Sequence, residues 1–162
     1  MTEIRAFTFY AMVPLNLLLI VWVWIGRAFL GAGGWWIVVL TYTAVPVLIL
    51  ALGLSSILAI TQRVPASAGR LTPPQWGTHL VVWASMLGFG FFLVDAGDDA
   101  DARASVFTQV VGATSGTLAV SDTLTAICVL AFVAAWVVLL VLLVAGQGAR
   151  RAGTIHSGAG TA

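Results

Sequence analysis

Charged side chains are scarce in this 162-residue chain, and lysine is absent altogether. Only 8% of the residues are charged, whereas a soluble domain has about 25%. The seven basic residues are all arginine, and six acidic residues oppose them to leave a net charge of +1. So few cations cannot form the basic surface that binds a nucleic acid, which excludes nucleic acid as a partner.

Residues that ligate metals or carry out catalysis are equally few. The one cysteine, Cys128, lies in an apolar run, which excludes an intrachain disulfide or a thiolate metal cluster. Of the two histidines, His79 and His156, the second lies in the C-terminal tail, which disfavours a haem held by both. Neither histidine is placed beside an acid with which it could form a catalytic pair or triad. We therefore expect no enzymatic activity and no cofactor.

Apolar residues make up 60% of the chain, and the mean hydropathy is +1.06. Four apolar runs are long enough to cross the roughly 30 Å hydrocarbon layer as helices at about 1.5 Å per residue. A secretory signal is the competing interpretation of the first run, but the apolar core of such a signal has only about 7 to 15 residues. The sequence therefore predicts an all-α integral membrane protein with a four-helix bundle of up-down-up-down topology.

The predicted domain covers residues 1–147, and a basic and then flexible cytoplasmic tail follows at residues 148–162. Ser121 is expected to cap the N-terminus of the last helix. The predicted spans are residues 6–28, 35–60, 76–94 and 122–145, with an outer loop at residues 95–121.

The arginines are distributed unequally between the two sides of this bundle. Five lie in the segments on the side of the termini, whereas only Arg27 and Arg103 lie on the other side. This asymmetry favours cytoplasmic termini in a multi-pass protein of the plasma membrane. Arg27, near the outer end of the first span, is expected to extend its guanidinium to the interface.

A short amphipathic helix is predicted within the outer loop, from about Ala104 to Val111, with Gly112 ending it. It would lie on the membrane surface or re-enter the membrane. Its apolar face would consist of Val106, Phe107, Val110 and Val111.

Two further sets of polar residues in this loop are candidate sites. Four carboxylates form a weakly cation-attracting cluster that lacks the glycine and the glutamate of an EF-hand calcium loop, so no specific metal site is predicted. They are Asp95, Asp98, Asp99 and Asp101. The second set offers the oxygen atoms that a selectivity constriction needs, and it consists of Thr108, Gln109, Thr114 and Ser115.

A third candidate site lies near the bilayer midplane, where Asn16, Pro46 and Ser85 are expected at similar depths. Pro46 has no N–H to donate to the carbonyl of Tyr42, so it leaves an acceptor free and can kink its helix. These three residues either join helices by hydrogen bonds or form a binding or permeation site near the midplane.

Two functions are compatible with these patterns. The first is a non-catalytic subunit or homo-oligomeric assembly protein, whose partners are the lipid bilayer and itself or another membrane protein. The alternative is a small oligomeric ion or solute channel, or a facilitator, with the outer loop at its mouth. The absence of a buried ionisable cluster favours the first function.

Overall fold

A computed structural model describes residues 2–61, 71–95 and 104–158, with side chains described for residues 6–61, 71–95 and 104–146. Within these ranges the chain contains helices and no strand. The helices are α1 (Thr2–Trp24), a 3-10 helix (Gly26–Leu30), α2 (Trp36–Tyr42), α3 (Ala44–Thr61), α4 (Pro73–Phe92), α5 (Val106–Val111) and α6 (Ser115–Gly158).

Three helical segments are long and apolar enough to cross a membrane: Ala6–Trp24, Ala44–Thr61 and Ser115–Gly146. This result confirms the helical fold class and is consistent with a multi-pass membrane protein. Helix α4 has the length of a crossing helix, 20 residues, but polar residues such as Gln75, His79 and Ser85 lower its mean hydropathy. All three of these side chains are buried, because they face the other helices.

Helices α1 and α4 run parallel and pack side by side. The indole Nε1 of Trp76 donates a hydrogen bond to Thr8 Oγ1 at 3.2 Å. Two helical turns further along, Trp83 Nε1 donates to Asn16 Oδ1 at 2.8 Å. The two bonds join residues separated by 68 and 67 positions, so the two helices advance in the same direction and in register.

The second apolar run forms two helices rather than the single predicted span. The break lies at Thr43, whose hydroxyl donates to the carbonyl oxygen of Val39 at 2.7 Å. Pro46 is the third residue of α3, where a backbone N–H has no partner within the helix in any case. Pro46 therefore removes no hydrogen bond within α3, and the helical run is interrupted before it, at Thr43.

Helix α5 begins after Ser105 and ends at Gly112, whose φ of 95° suits glycine. Its existence and its C-terminal end were predicted from the sequence, but its buried face was not. Val106 and Thr108 are buried, whereas Val110 and Val111 are exposed. The apolar face therefore does not pack as one unit, because the bundle covers only the start of the helix.

The start of α6 was predicted wrongly, since Ser121 lies almost two turns inside the helix and is not its N-cap. Thr114 and Thr117 cap this helix reciprocally: the Thr117 amide donates to Thr114 Oγ1 at 3.1 Å, and the Thr114 amide donates to Thr117 Oγ1 at 2.8 Å. The hydroxyl of Ser121 donates instead to the carbonyl oxygen of Phe92, at the end of α4, at 2.7 Å. Helix α6 therefore runs antiparallel to α4.

Helix α6 has 44 residues and continues to Gly158, where a flexible tail was predicted from residue 148. At about 1.5 Å per residue it is about 66 Å long, roughly twice the thickness of the hydrocarbon layer. Its inward side completes the apolar core through Leu139 and Leu143, which contact the core residues of the other helices, including Met12, Val82 and Met86.

Candidate functional site

A buried ion pair joins Arg27 to Asp95 at one end of the bundle. Arg27 Nη2 lies 2.8 Å from Asp95 Oδ2, and the side chains are 0% and 5% exposed. The guanidinium also donates from Nε to the carbonyl oxygen of Ala32 at 2.8 Å and from Nη1 to that of Leu93 at 3.2 Å. We call this pair with its hydrogen bonds the clasp, and the end of the bundle where it lies the clasp end.

The clasp corrects two expectations drawn from the sequence. Arg27 does not extend to an interface, because its guanidinium points inward to three acceptors. Asp95 is not a solvated member of an acidic cluster, because its carboxylate is buried against Arg27. Asp98, Asp99 and Asp101 lie outside the described residues.

Asp95 also makes hydrogen bonds to two backbone segments next to the clasp. Its backbone amide donates to the carbonyl oxygen of Ala104 at 2.8 Å, and its Oδ1 accepts a long hydrogen bond of 3.5 Å from the amide of Trp36. A Cβ at Gly34 would lie only 2.6 Å from Asp95 Oδ1, so this position has no room for a side chain. Through its carboxylate and its backbone amide, Asp95 therefore connects the start of α2, the end of α4 and the segment before α5.

The electrostatics of the clasp follow from its burial. The 3-10 helix that carries Arg27 lies beyond the apolar segment Ala6–Trp24. Burial lowers the pKa of the Arg27 guanidinium from its ordinary value, and the Asp95 carboxylate opposes this change. The folded protein needs both Arg27 and Asp95, because a buried charge without its counter-ion strongly destabilises the fold.

A second, neutral network holds α5 against α4 and α6 at the clasp end. The Ser105 and Ser121 hydroxyl oxygens lie 2.7 Å apart, and the Thr108 amide donates to Ser105 Oγ at 3.1 Å. The ring of Phe107 packs against Phe92, with centroids 5.5 Å apart. These contacts join α5 to both long helices.

The four loop residues proposed for a constriction contact different neighbours. Thr108 belongs to the capping box of α5, and Thr114 caps α6, of which Ser115 is the first residue. Gln109 Nε2 donates to the carbonyl oxygen of Gly31 at 3.2 Å. The hydroxyls of Thr108 and Thr114 thus bind the adjacent backbone of their own helix starts, and the described residues do not form a ring of oxygen atoms.

Asn16 lies at the centre of a hydrogen-bond network between three helices. Its Nδ2 donates to Ser56 Oγ of α3 at 3.1 Å, and its Oδ1 accepts from Trp83 Nε1 of α4 at 2.8 Å. Ser56 in turn donates to the carbonyl oxygen of Leu52 at 2.7 Å. Asn16 is buried and makes hydrogen bonds through both ends of its amide.

The structure does not bring Asn16, Pro46 and Ser85 together. Ser85 donates only to the carbonyl oxygen of Val81 in its own helix, at 2.7 Å, and it lines a cavity of about 190 Å³ with Cys128 and other residues. Asn16 and Ser56 line a different cavity of about 280 Å³ between α1 and α3. Both cavities are lined mainly by apolar side chains.

His79 of α4 is a buried polar side chain that lies outside these networks. It is 1% exposed and its ring meets that of Trp83 edge to face, with centroids 5.6 Å apart. Its Nδ1 has no hydrogen bond of good geometry. Among the described residues, no group of three or more His, Cys, Asp or Glu side chains is placed to hold a metal ion.

Sequence reasoning missed the clasp and the partners of Asn16, although one signal for the clasp was present. Arg27 lies near the end of the first predicted span and Asp95 directly follows the third, so an up-down topology places these opposite charges on one side of the bundle. Comparison of the chain with protein-family models, curated proteins and solved structures gave no match in any of the three. Its function is therefore argued from the geometry of its own residues.

Proposed function

We propose that this protein is a non-catalytic subunit of a membrane assembly, formed with copies of itself or with a larger membrane protein. The observation that carries the proposal is the surface of α6. Its apolar segment Ser115–Gly146 is 32 residues long. Only 11% of an apolar 18-residue stretch of this segment is buried inside the chain. At about 1.5 Å per residue the segment extends about 48 Å, more than one bilayer crossing needs. Such a surface suits contact with the helices of a partner.

The interior supports the same proposal. The described polar networks connect helices of this chain to one another, as the bonds of Asn16 to Ser56 and Trp83 do. The two cavities described above are lined mainly by apolar residues. An ion that loses its hydration shell needs several oxygen ligands. The side-chain oxygens that line these cavities belong to Asn16, Ser56 and Ser85, and each already takes part in a hydrogen bond within the protein. A channel or facilitator would therefore have to form its path between copies of the chain.

We propose that the protein crosses the plasma membrane four times and that both of its termini lie in the cytoplasm. Helix α4 packs in register with α1, so a crossing by Ala6–Trp24 places α4 at the same depth. Its polar residues face inward, so they do not meet lipid. The arginine asymmetry of the sequence supports the cytoplasmic termini.

The experiment is site-specific photocrosslinking in native membranes, followed by native mass spectrometry of the protein in nanodiscs. Benzoylphenylalanine would replace Leu130 on α6, and the matched control would replace Leu50 on α3. Both side chains are strongly exposed within the chain, at 70% and 73%. We expect a discrete protein adduct of fixed stoichiometry at Leu130, whereas Leu50 gives lipid adducts.

Two results would contradict the proposal. The first is a monomer in nanodiscs that gives lipid adducts alone at both positions. The second is an ion or solute flux in liposomes that Asn16→Leu changes while the folded state is retained, since this outcome would establish the channel.

A further inference from the structure

Apolar side chains are exposed at the clasp end beyond the apolar segment of α1. Phe29 of the 3-10 helix is 82% exposed and Val110 of α5 is 74% exposed. Leu30 and Val111 beside them are exposed as well. The hydrogen bond from Gln109 to the carbonyl oxygen of Gly31 joins the two short helices. We call residues Gly26–Leu30 and Val106–Val111 together the collar.

The depth of the collar follows from the helices that it surrounds. Ser121 contacts the last residue of α4, so the six residues of α6 before it rise about 9 Å beyond the end of α4. The headgroup layer on each side of a bilayer is about 5 to 8 Å thick. The 3-10 helix begins two residues after Trp24, where the apolar segment of α1 ends. The collar therefore stands at the level of the headgroups, directly above the hydrocarbon.

The charges of this region fit a lipid surface. Among the described residues of the collar and the first two turns of α6, the charged side chains are those of Arg27 and Asp122. Arg27 is turned inward to Asp95, so its charge is removed from the collar's surface. Binding of a helix at the boundary between headgroups and acyl chains strengthens with the apolar area that it buries there, and the described collar surface has no charged side chain that insertion would have to remove from water.

We propose that the collar lies in the headgroup layer of the leaflet at the clasp end, with Phe29, Leu30, Val110 and Val111 inserted toward the acyl chains. The occupant of this apolar surface is lipid, because the surface continues the lipid-facing apolar surface of α1 without a break in the chain. The clasp holds the collar in place, since Arg27 joins the 3-10 helix to the residues that follow α4. This inference depends on membrane insertion and is independent of the proposed subunit function.

The experiment measures depth by fluorescence quenching in phosphatidylcholine nanodiscs. A Cys128→Ala background removes the native thiol, and Phe29→Cys or Val110→Cys is labelled with bimane. Both positions are strongly exposed, so the label can be accommodated. Leu50→Cys, near the middle of α3 on the surface expected to face lipid, is the matched control for the bilayer centre. Quenchers are lipids with a nitroxide on the headgroup, at acyl carbon 5 or at acyl carbon 16, and aqueous iodide.

At both collar positions we expect the headgroup and carbon-5 nitroxides to quench more strongly than the carbon-16 nitroxide, with the reverse order at Leu50. Quenching by iodide without quenching by any lipid nitroxide would place the collar in water and overturn the inference. Protection from lipid nitroxides and iodide alike would show that protein covers the collar, which would also overturn it.

Discussion

At the scale of single residues, the clasp end depends on the presence of both partners of the buried ion pair. Moving two charges out of water is costly, and their attraction with good hydrogen bonds offsets most of that cost. Arg27 satisfies this condition through one carboxylate and two carbonyl oxygens. The net contribution of the intact pair is therefore small, but the loss of one partner is severe.

We expect Asp95→Ala to lower the free energy of unfolding by about 3 to 5 kcal/mol, because Arg27 would remain buried without its counter-ion. Arg27→Ala should have an effect of similar size. The double variant Arg27→Met/Asp95→Leu should recover much of the loss, since no charge is then buried. Unfolding by SDS titration in mixed micelles measures all three, and Gln109→Ala, which removes one exposed hydrogen bond, is the control. Additive effects of the two single alanine substitutions in a double-alanine variant would argue against a coupled pair.

A second test at this scale concerns Gly34. Its backbone leaves no space for a Cβ, which would lie 2.6 Å from Asp95 Oδ1, so Gly34→Ala should displace the carboxylate and destabilise the protein. Gly53→Ala is the matched control, because a Cβ there meets no atom within 4 Å. We expect that substitution in α3 to stabilise the fold by up to about 1 kcal/mol, from the better helix propensity of alanine. Equal unfolding free energies for the two variants would contradict the close approach at Gly34.

The sequence contained both partners of the clasp, but it did not predict their contact. The two residues are 68 positions apart, and each had a sufficient local explanation as an exposed charge beside an apolar run. Arg27 lies in a 3-10 helix that ends at Gly31, which adopts a positive φ of 79°, and Ala32 just beyond this turn accepts a hydrogen bond from the guanidinium. Patterns of apolar residues predict which segments are helical, but they do not predict how a turn aims one side chain.

At the scale of helices, the polar side chains of α3 and α4 differ in what they join. Ser56 Oγ links α3 to Asn16 of α1, whereas Ser85 Oγ bonds only within α4. A hydrogen bond between membrane helices contributes about 0.6 kcal/mol on average and up to about 1.7 kcal/mol. Such a contribution requires that the bond cross between helices.

Ser56→Ala should therefore lower the free energy of unfolding by about 0.6 to 1.7 kcal/mol. Ser85→Ala makes the same chemical change at a buried position and should have almost no effect, because its bond remains inside one helix. The two serines provide a matched pair for SDS titration. A larger loss at Ser85 than at Ser56 would show that the network around Asn16 does not hold the helices together.

The helix boundaries show where local patterns were sufficient. Gly112 ends α5 as predicted, because only glycine readily adopts its positive φ. The start of α6 was placed too late, because Ser121 precedes an acidic residue and the apolar run, whereas the operative cap is the Thr114–Thr117 pair upstream. A hydrophobicity pattern indicates where a helix enters lipid. The residue at which the backbone becomes helical can lie well before that position.

At the scale of the whole molecule, the parallel packing of α1 and α4 determines the topology that we expect. A cysteine at Ala113, which is exposed between α5 and α6 at the clasp end, should react with a membrane-impermeant maleimide added to intact cells. Pro73→Cys, at the start of α4 and at the opposite end of the bundle, should react only after permeabilisation. Both variants carry Cys128→Ala. Reaction of both cysteines from the same side would exclude a crossing by α4, and the reversed pattern would reverse the orientation.

Composition and apolar runs were sufficient to predict a helical membrane protein, because lipid imposes length and hydropathy on every crossing helix. The candidate sites were harder to predict. Asn16 was recognised as an unusual polar residue, but its partners Ser56 and Trp83 lie 40 and 67 residues away. Which helices become neighbours is decided by packing among all of them, and a single span contains little information about that choice.

The clasp has a further consequence for the order in which the protein is made. Arg27 is synthesised 68 residues before Asp95. At about 5 to 20 residues per second, the ribosome needs roughly 3 to 14 s to reach the carboxylate. During that interval the first helical hairpin carries a guanidinium that has only its local acceptor Ala32 from the final set. The clasp can close only once α4 has been translated and has come alongside α1, so the buried end of the first hairpin stays incomplete until the third long helix has been made.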